Sequence, residues 1–211
     1  MDKSKPIAIY QLPTTKSEVN MQNDILHNFF GKLMPLFPPR TEAFLKSATR
    51  EDLNRVNFRY IFTVNGMVEI SHMIEDAIMA SPGISETHVS FQYFSRIADQ
   101  KERYIQVADA STGLFLYGVP DAPVPDFARL TAIDTTGTPL EHYWFVIAYG
   151  PGIHMTLLAE EINPADRLPG EPRMYEGFYT FDPNFAYKVI TVMHKLFPAQ
   201  IAEPTLPELL E

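Results

Sequence analysis

Cysteine is absent from the 211-residue chain. That excludes disulfides, thiolate catalysis, cysteine-ligated zinc or iron–sulfur clusters, and any cofactor attached through sulfur. Clusters of Lys and Arg are lacking too, and the formal net charge is -9. An acidic surface repels phosphate backbones and anionic lipid, so neither nucleic acid nor membrane is expected as a partner. No window approaches the roughly eighteen uninterrupted apolar residues of a membrane span. Met1 to Tyr10 has no apolar signal-peptide core, and a cytoplasmic location is expected. No Gly-x-Ser-x-Gly elbow and no Gly-rich phosphate loop is present. Gly150-Pro151-Gly152 lies between two apolar runs and reads as a hairpin turn. Ser71-His72 adjacency makes no triad, because neighbouring helical residues point apart. His27, His88, His142, His154 and His194 form no His-x-His or His-x-x-x-His pair, and no metal site is expected.

Hydrophobic residues make up 45% of the chain and aromatics 12%, enough for a packed core. Ile7 to Tyr10 reads as an edge strand ended by Pro13. Residues 16–34 read as a helix, with Ile25, Phe29, Phe30 and Leu33 near helical spacing and Val19 and Leu26 close by. A short helix over 41–48 takes Thr41 as N-cap, and Thr49 to Asp52 has capping-box form. Arg59 to Val64 alternates as a strand, and Asn65-Gly66 reads as a turn. Residues 67–80 form an amphipathic helix on Met67, Ile70, Ile74, Ala77 and Ile78, widened by Met73. Val89 to Tyr93 is a strand. A helix over 95–110 turns Ile97, Tyr104, Val107 and Ala108 inward. Leu114 to Tyr117 is a strand buried on both faces. Further strands are Leu130 to Ile133, Tyr143 to Tyr149, Ile153 to Ala159 and Tyr175 to Phe181. Asp182-Pro183 opens a last helix on Phe185, Val189, Val192, Met193 and Leu196. Pro198 ends it, and residues 199–211 read as a loose tail.

The order is helices, then β-α-β-α-β, then strands, then a helix. It predicts a mixed α/β class: one mixed parallel and antiparallel sheet flanked by helices, with an N-terminal helical extension. The expected division is an extension over 1–57, a core domain over 58–197 and a tail over 198–211.

Several segments share a resemblance. Ile70-Ser71-His72-Met73-Ile74-Glu75-Asp76 resembles the "ISH-x-IED" helix of the DICT sensory domain, found in diguanylate cyclases and two-component systems. Phe91 to Ser95 is similar to that family's "FQ-x-x-S" entry into a helix. Arg103-Tyr104 and Leu116 to Asp121 are similar to its "RY" and "FGVPD" pieces. Trp144-Phe145-Val146 resembles "EWFVV", and Tyr175 to Pro183 resembles "FEG-x-x-TFDP". The pieces fall in one order across residues 58–197. Tyr143 stands where an acidic residue precedes the tryptophan in the family pattern. The family is usually fused to an output domain, and none is visible here. The resemblance implies a bacterial sensory or regulatory role, with the chain signalling by binding something. It supplies no ligand, and no cofactor is named.

The polar constellation of greatest interest is Glu69, His72 and Asp76, spaced on one helical face with Glu75 beside them. It reads as a solvated helix face, or as a histidine poised by carboxylates for hydrolase- or lyase-type acid–base work. Phe91, Tyr93, Tyr104, Phe115, Trp144, Phe145 and Tyr179 either fill the core or line an apolar pocket. Asp121, at a strand end, either contacts a ligand or caps the proline loop. The expected function is a non-enzymatic sensory module binding a small molecule or a signalling protein partner. The ligand-binding candidates are Ser71, His72, Glu75, Asp76, Gln92, Tyr104, Asp121 and Trp144, with no catalytic residue assigned. An adaptor or oligomerisation module without a ligand is the alternative. The Phe29-Phe30 helix is expected to pack on its own domain, and a homodimer contact is the other use of that face.

Overall fold

A computed structural model describes residues 9–10, 16–51 and 58–210, with only the backbone of 9–10 and 16–19. Ile7, Ala8, Pro13, Asp52 and the Val19 side chain, all named above, lie outside the described residues.

Sequence alternation builds the sheet first. Eight strands are described: β1 (Ile9–Tyr10), β2 (Tyr60–Thr63), β3 (Glu86–Tyr93), β4 (Gly113–Val119), β5 (Leu130–Asp134), β6 (Tyr143–Gly150), β7 (Ile153–Glu161) and β8 (Met174–Thr180). Their order is β1-β5-β4-β3-β6-β7-β8-β2. Pairing is parallel from β1 to β3 and antiparallel from β3 through β8 to β2. The single sheet is therefore mixed, as the pattern predicts, and β3 is where the direction changes.

Among the described residues five α-helices are complete: α1 (Lys16–Leu33), α2 (Glu42–Ser47), α3 (Val64–Ala80), α4 (Lys101–Ala110) and α5 (Pro183–Leu196), with α1 and α5 on one face of the sheet and α3 and α4 on the other. Period-two alternation on β6 divides the core. Trp144, Val146 and Ala148 join Met67, Ile74 and Ile78 of α3 and Tyr104, Val107 and Ala108 of α4. Tyr143, Phe145, Ile147 and Tyr149 join Leu26, Phe30 and Leu33 of α1 and Val189, Ile190 and Met193 of α5. The N-terminal helix thus packs on the sheet of its own chain. Phe37 lies flat on Phe178 of β8, ring centroids 3.7 Å apart. No described helix is long and apolar enough to cross a membrane.

Several local expectations need correction. Asn65-Gly66 is not a turn. The chain passes from β2 into α3 at Val64, because the Thr63 hydroxyl accepts from the Gly66 N–H at 3.1 Å and caps the helix. The 95–110 helix is two pieces, a 3-10 helix over Phe94–Gln100 followed by α4. On α1 and α2, Ile25 and Leu45 are exposed while Leu26 is buried. Phe115 of β4 is half-buried rather than enclosed. The C-terminal segment is not loose as far as residue 210. Ile201 is buried, its carbonyl meets His194 Nδ1 at 2.7 Å, and the Tyr149 hydroxyl donates to the Thr205 carbonyl at 2.5 Å. Apolar anchors spaced among prolines carry no helical or strand period, so the pattern did not show this packing.

Candidate functional site

The antiparallel pairing gathers one end of the sheet. The C-terminal end of β3 meets the start of β6, and the end of β7 meets the start of β8. Gln92, Trp144, Glu161 and Tyr175 therefore share one rim, and α3 lies over it.

The α3 stripe is not the one expected. Met73 is 66% exposed, and Glu75 is only 1% exposed. The buried line runs Met67, Ser71, Ile74, Glu75, Ile78. A carboxylate survives there because each oxygen has a donor. The Tyr104 hydroxyl donates to Oε1 at 2.6 Å, and Arg103 Nε donates to Oε2. Arg103 Nη2 also donates to the His72 carbonyl at 2.7 Å and to Asp76 Oδ1 at 2.6 Å. Burial, then the Glu75 charge, pushes the Tyr104 hydroxyl well above the usual tyrosine range. Burial pulls the Arg103 guanidinium down, but its bonds to Glu75 and Asp76 outweigh that and raise it. An ion pair and a phenol thus fasten α3 to α4.

A second polar knot lies beneath. Gln92 has φ 69°, the left-handed region a non-glycine residue rarely adopts, and β3 bulges between Ser90 and Gln92. The bulge turns a buried amide along the rim. Its Nε2 donates to Glu161 Oε2 at 2.8 Å, which fixes which end is nitrogen. Its Oε1 accepts from the Tyr175 hydroxyl at 2.9 Å, from Arg173 Nη1 at 3.4 Å and from Arg96 Nη1. Arg96 Nη1 also donates to the Phe91 carbonyl at 3.0 Å, and Arg173 Nη1 donates to the Tyr175 hydroxyl at 3.0 Å. Burial, then the neighbouring Arg173 charge, lowers the Arg96 guanidinium from its ordinary value.

Between the two knots lies a cavity of about 140 Å³. Val68, Ser71, His72 and Glu75 of α3 form one wall. Phe91 and Trp144 form the floor. Arg96, Asp99, Gln100 and Arg173 close the sides. His72 Nε2 lies 3.3 Å from Gln100 Oε1. Two lining groups are buried with no hydrogen-bond partner, the Ser71 hydroxyl and the Trp144 indole N–H. Their residues are 2% and 6% exposed. A second hollow, about 170 Å³, lies on the other flank of α3 among Ile70, Met73, Met155, Tyr179 and Phe181, with no charged group in its lining.

Of the eight candidates, Ser71, His72, Glu75 and Trp144 come together at this cavity. Tyr104 stands behind Glu75, and Gln92 stands behind the two arginines. Asp76 is on the outer side of α3 and pairs with Arg103. Asp121 is outside the cavity lining. It caps the Phe94–Gln100 turn instead, accepting from the Ser95 N–H at 2.9 Å and hydroxyl at 2.6 Å. Burial works upward on this carboxyl, but the Ser95 bonds win and lower it. Glu69 is exposed, so the expected Glu69–His72–Asp76 face is not one working cluster. Of the aromatics, Phe91 and Trp144 line the cavity, Tyr93 is exposed beneath Arg96, and Phe145 packs on the opposite face. Arg96 and Arg173 were missed. Arg96 directly follows the Phe91–Ser95 segment, a usable signal, whereas Arg173 lies in a stretch without period. His88 is fully buried against Tyr117, Nδ1 to hydroxyl 2.9 Å. Among the described residues no group of His, Asp and Glu is arranged to hold a metal.

Fold and site together define a sheet domain with helices on both faces and a half-open cavity of mixed polar and apolar lining at its rim. The family model for DICT, "Sensory domain in DIguanylate Cyclases and Two-component system", matches residues 47–162, and the chain belongs to that family of sensory domains. The match begins before β2 and ends at β7, so the Tyr175 to Pro183 segment lies beyond it. Comparison with curated proteins gives no match. Among solved structures, a polyphosphate kinase from Porphyromonas gingivalis is similar at 12% identity with a TM-score of 0.47. The similarity covers 87% of this chain and 32% of that one, so the chain spans about a third of the kinase's length.

Proposed function

We propose that the chain is a non-enzymatic sensory module that binds a small molecule in the cavity between α3 and the β3–β6 rim and passes its occupancy to a signalling partner. The carrying observation is the pair of orphaned polar groups, Ser71 Oγ and Trp144 Nε1, both on residues that line the half-open cavity. A buried donor without an acceptor costs about 1–3 kcal/mol, and folded proteins keep few of them. A ligand supplying those partners recovers that cost on binding. Both oxygens of Glu75 are already engaged, which suits a structural fastening better than proton transfer. The relay is α3 itself, because it forms the cavity wall and is fastened to α4.

The test is thermal melting against a metabolite library, with hydrogen exchange on α3. A ligand at a hundred times its dissociation constant adds about 2.7 kcal/mol, or roughly 5–11 °C for a chain this size. Slower exchange in α3 accompanies it. Flat melts across the library, unchanged in Ser71→Ala, would overturn ligand sensing and leave an adaptor without a ligand.

A further inference from the structure

We infer that the cavity's ligand is a small monocarboxylate with an apolar body, its carboxylate held between Arg96 and Arg173. The inference rests on the cavity being a ligand site and adds the chemical class. Charge comes first. Glu75 is neutralised by Arg103, and Glu161 accepts from Gln92 and lies 3.6 Å from Arg167. Among the described residues, neither Arg96 nor Arg173 forms an ion pair. Their fixed contacts use one terminal nitrogen each, on neutral oxygens of Gln92, Tyr175 and Phe91. The remaining guanidinium donors are unspent, and a guanidinium fork matches a carboxylate bidentately. Asp99, the other charged group of the lining, offsets one of the two cations. With Glu75 held by Arg103, two guanidiniums remain against one lining carboxylate, which favours an anionic ligand.

The orphan groups agree. An indole N–H can only donate, so Trp144 requires an acceptor on the ligand. Ser71 adds a hydroxyl that can do the same. Val68, Phe91 and the Trp144 ring give the lining an apolar side, beside the polar His72 and Gln100. Size agrees: about 140 Å³ is close to the roughly 150 Å³ engineered cavity that admits benzene. A branched aliphatic or aromatic acid fits within it.

Trp144 is the only tryptophan in the chain and reports directly. The experiment titrates the full chain with isobutyrate and benzoate, with isobutyramide and benzamide as neutral isosteres, and with inorganic phosphate. Indole emission and melting temperature are read together. The expected result is a saturable emission change and a raised melting temperature with at least one acid and with neither amide. Arg173→Gln, which touches only the rim, is expected to weaken that acid about tenfold or more while near-ultraviolet circular dichroism stays native. If Arg96→Gln disturbs the fold, Arg173→Gln alone decides. Stabilisation by amides as well as acids, by phosphate alone, or by neither acid overturns the carboxylate assignment. A neutral library compound that stabilises the protein would overturn the assignment while leaving the cavity a ligand site. A flat library overturns both.

Discussion

Glu75→Gln tests the least expected feature of α3. The substitution keeps the side-chain volume and an oxygen for the Tyr104 hydroxyl, but sets an NH₂ against Arg103 Nε. Removing one partner of a buried ion pair costs about 3–5 kcal/mol. Arg103 keeps Asp76 and the His72 carbonyl, and its side chain is 23% exposed, so about 3 kcal/mol applies. That corresponds to a fall of roughly 6–12 °C in melting temperature. Tyr104→Phe deletes a single charge-assisted hydrogen bond, worth about 1.5–3 kcal/mol. Asp76→Asn alters a contact whose carboxylate is 65% exposed and should cost under about 1 kcal/mol. Urea unfolding followed by far-ultraviolet circular dichroism gives each value, provided the slope is unchanged. The double variant Glu75→Gln/Tyr104→Phe should depart from additivity by about 0.5 kcal/mol or more. If Glu75→Gln and Asp76→Asn cost the same small amount, Glu75 is on a solvated face and the α3–α4 fastening is wrong.

Phe37→Ala removes a ring stacked on Phe178 and should cost about 3–5 kcal/mol within one cooperative transition; a separate early transition would show that the N-terminal segment folds apart from the sheet. Gly177→Ala places a methyl 2.2 Å from the Leu158 carbonyl oxygen and 2.4 Å from Ala159 Cβ, so β8 must shift off β7 at a cost of about 1–3 kcal/mol in urea melts; a neutral result would show that the strands sit further apart. Burial, then the neighbouring Tyr187, Glu86 and Glu208, raises the Tyr149 hydroxyl from 10.0 to about 12. Because the folded state holds the proton more tightly, this stabilisation is complete below pH 10 and is lost as pH rises toward 12. Alkaline melts should decline over that window, and less so in Tyr149→Phe.

The mixed sheet was legible because its strands announce themselves in two ways. β6 and β4 are nearly continuous apolar runs, as central strands must be, and β2 alternates at an edge. The Asp182 cap and Pro183 likewise marked α5 to the residue. What stayed illegible depends on partners distant in sequence. Glu75 reads as polar on any helical projection, and only Arg103 and Tyr104, 28 and 29 residues on, make its burial tolerable. Gln92 sits in a strand pattern that gives no sign of a left-handed residue. Arg173 reaches the cavity because β8 returns beside β7, a pairing that hydrophobic periodicity cannot specify.

The two polar knots also explain why the cavity persists. A void of this size denies its lining dispersion contacts that closing would restore. Here α3 cannot settle onto the rim, because Arg103 fixes its height against α4 at three points. Nor can the floor rise, because Gln92 ties β3 to Glu161 of β7 and Tyr175 of β8. Between these fixed walls Arg96 and Arg173 are each held to the same amide oxygen, and their mutual repulsion, only partly offset by Glu161, is an electrostatic cost of the site. The left-handed Gln92 is what positions them, at a backbone cost of about 1–3 kcal/mol. In the proposed reading an anion relieves that repulsion without needing the walls to move. Gln92→Gly should then weaken acid binding while lowering stability less than Glu75→Gln does, since glycine takes φ 69° without strain and so offsets part of the lost hydrogen bonding. Calorimetric titration beside urea melts separates the two quantities. Unchanged binding in Gln92→Gly would show that the arginines are placed by something other than this amide.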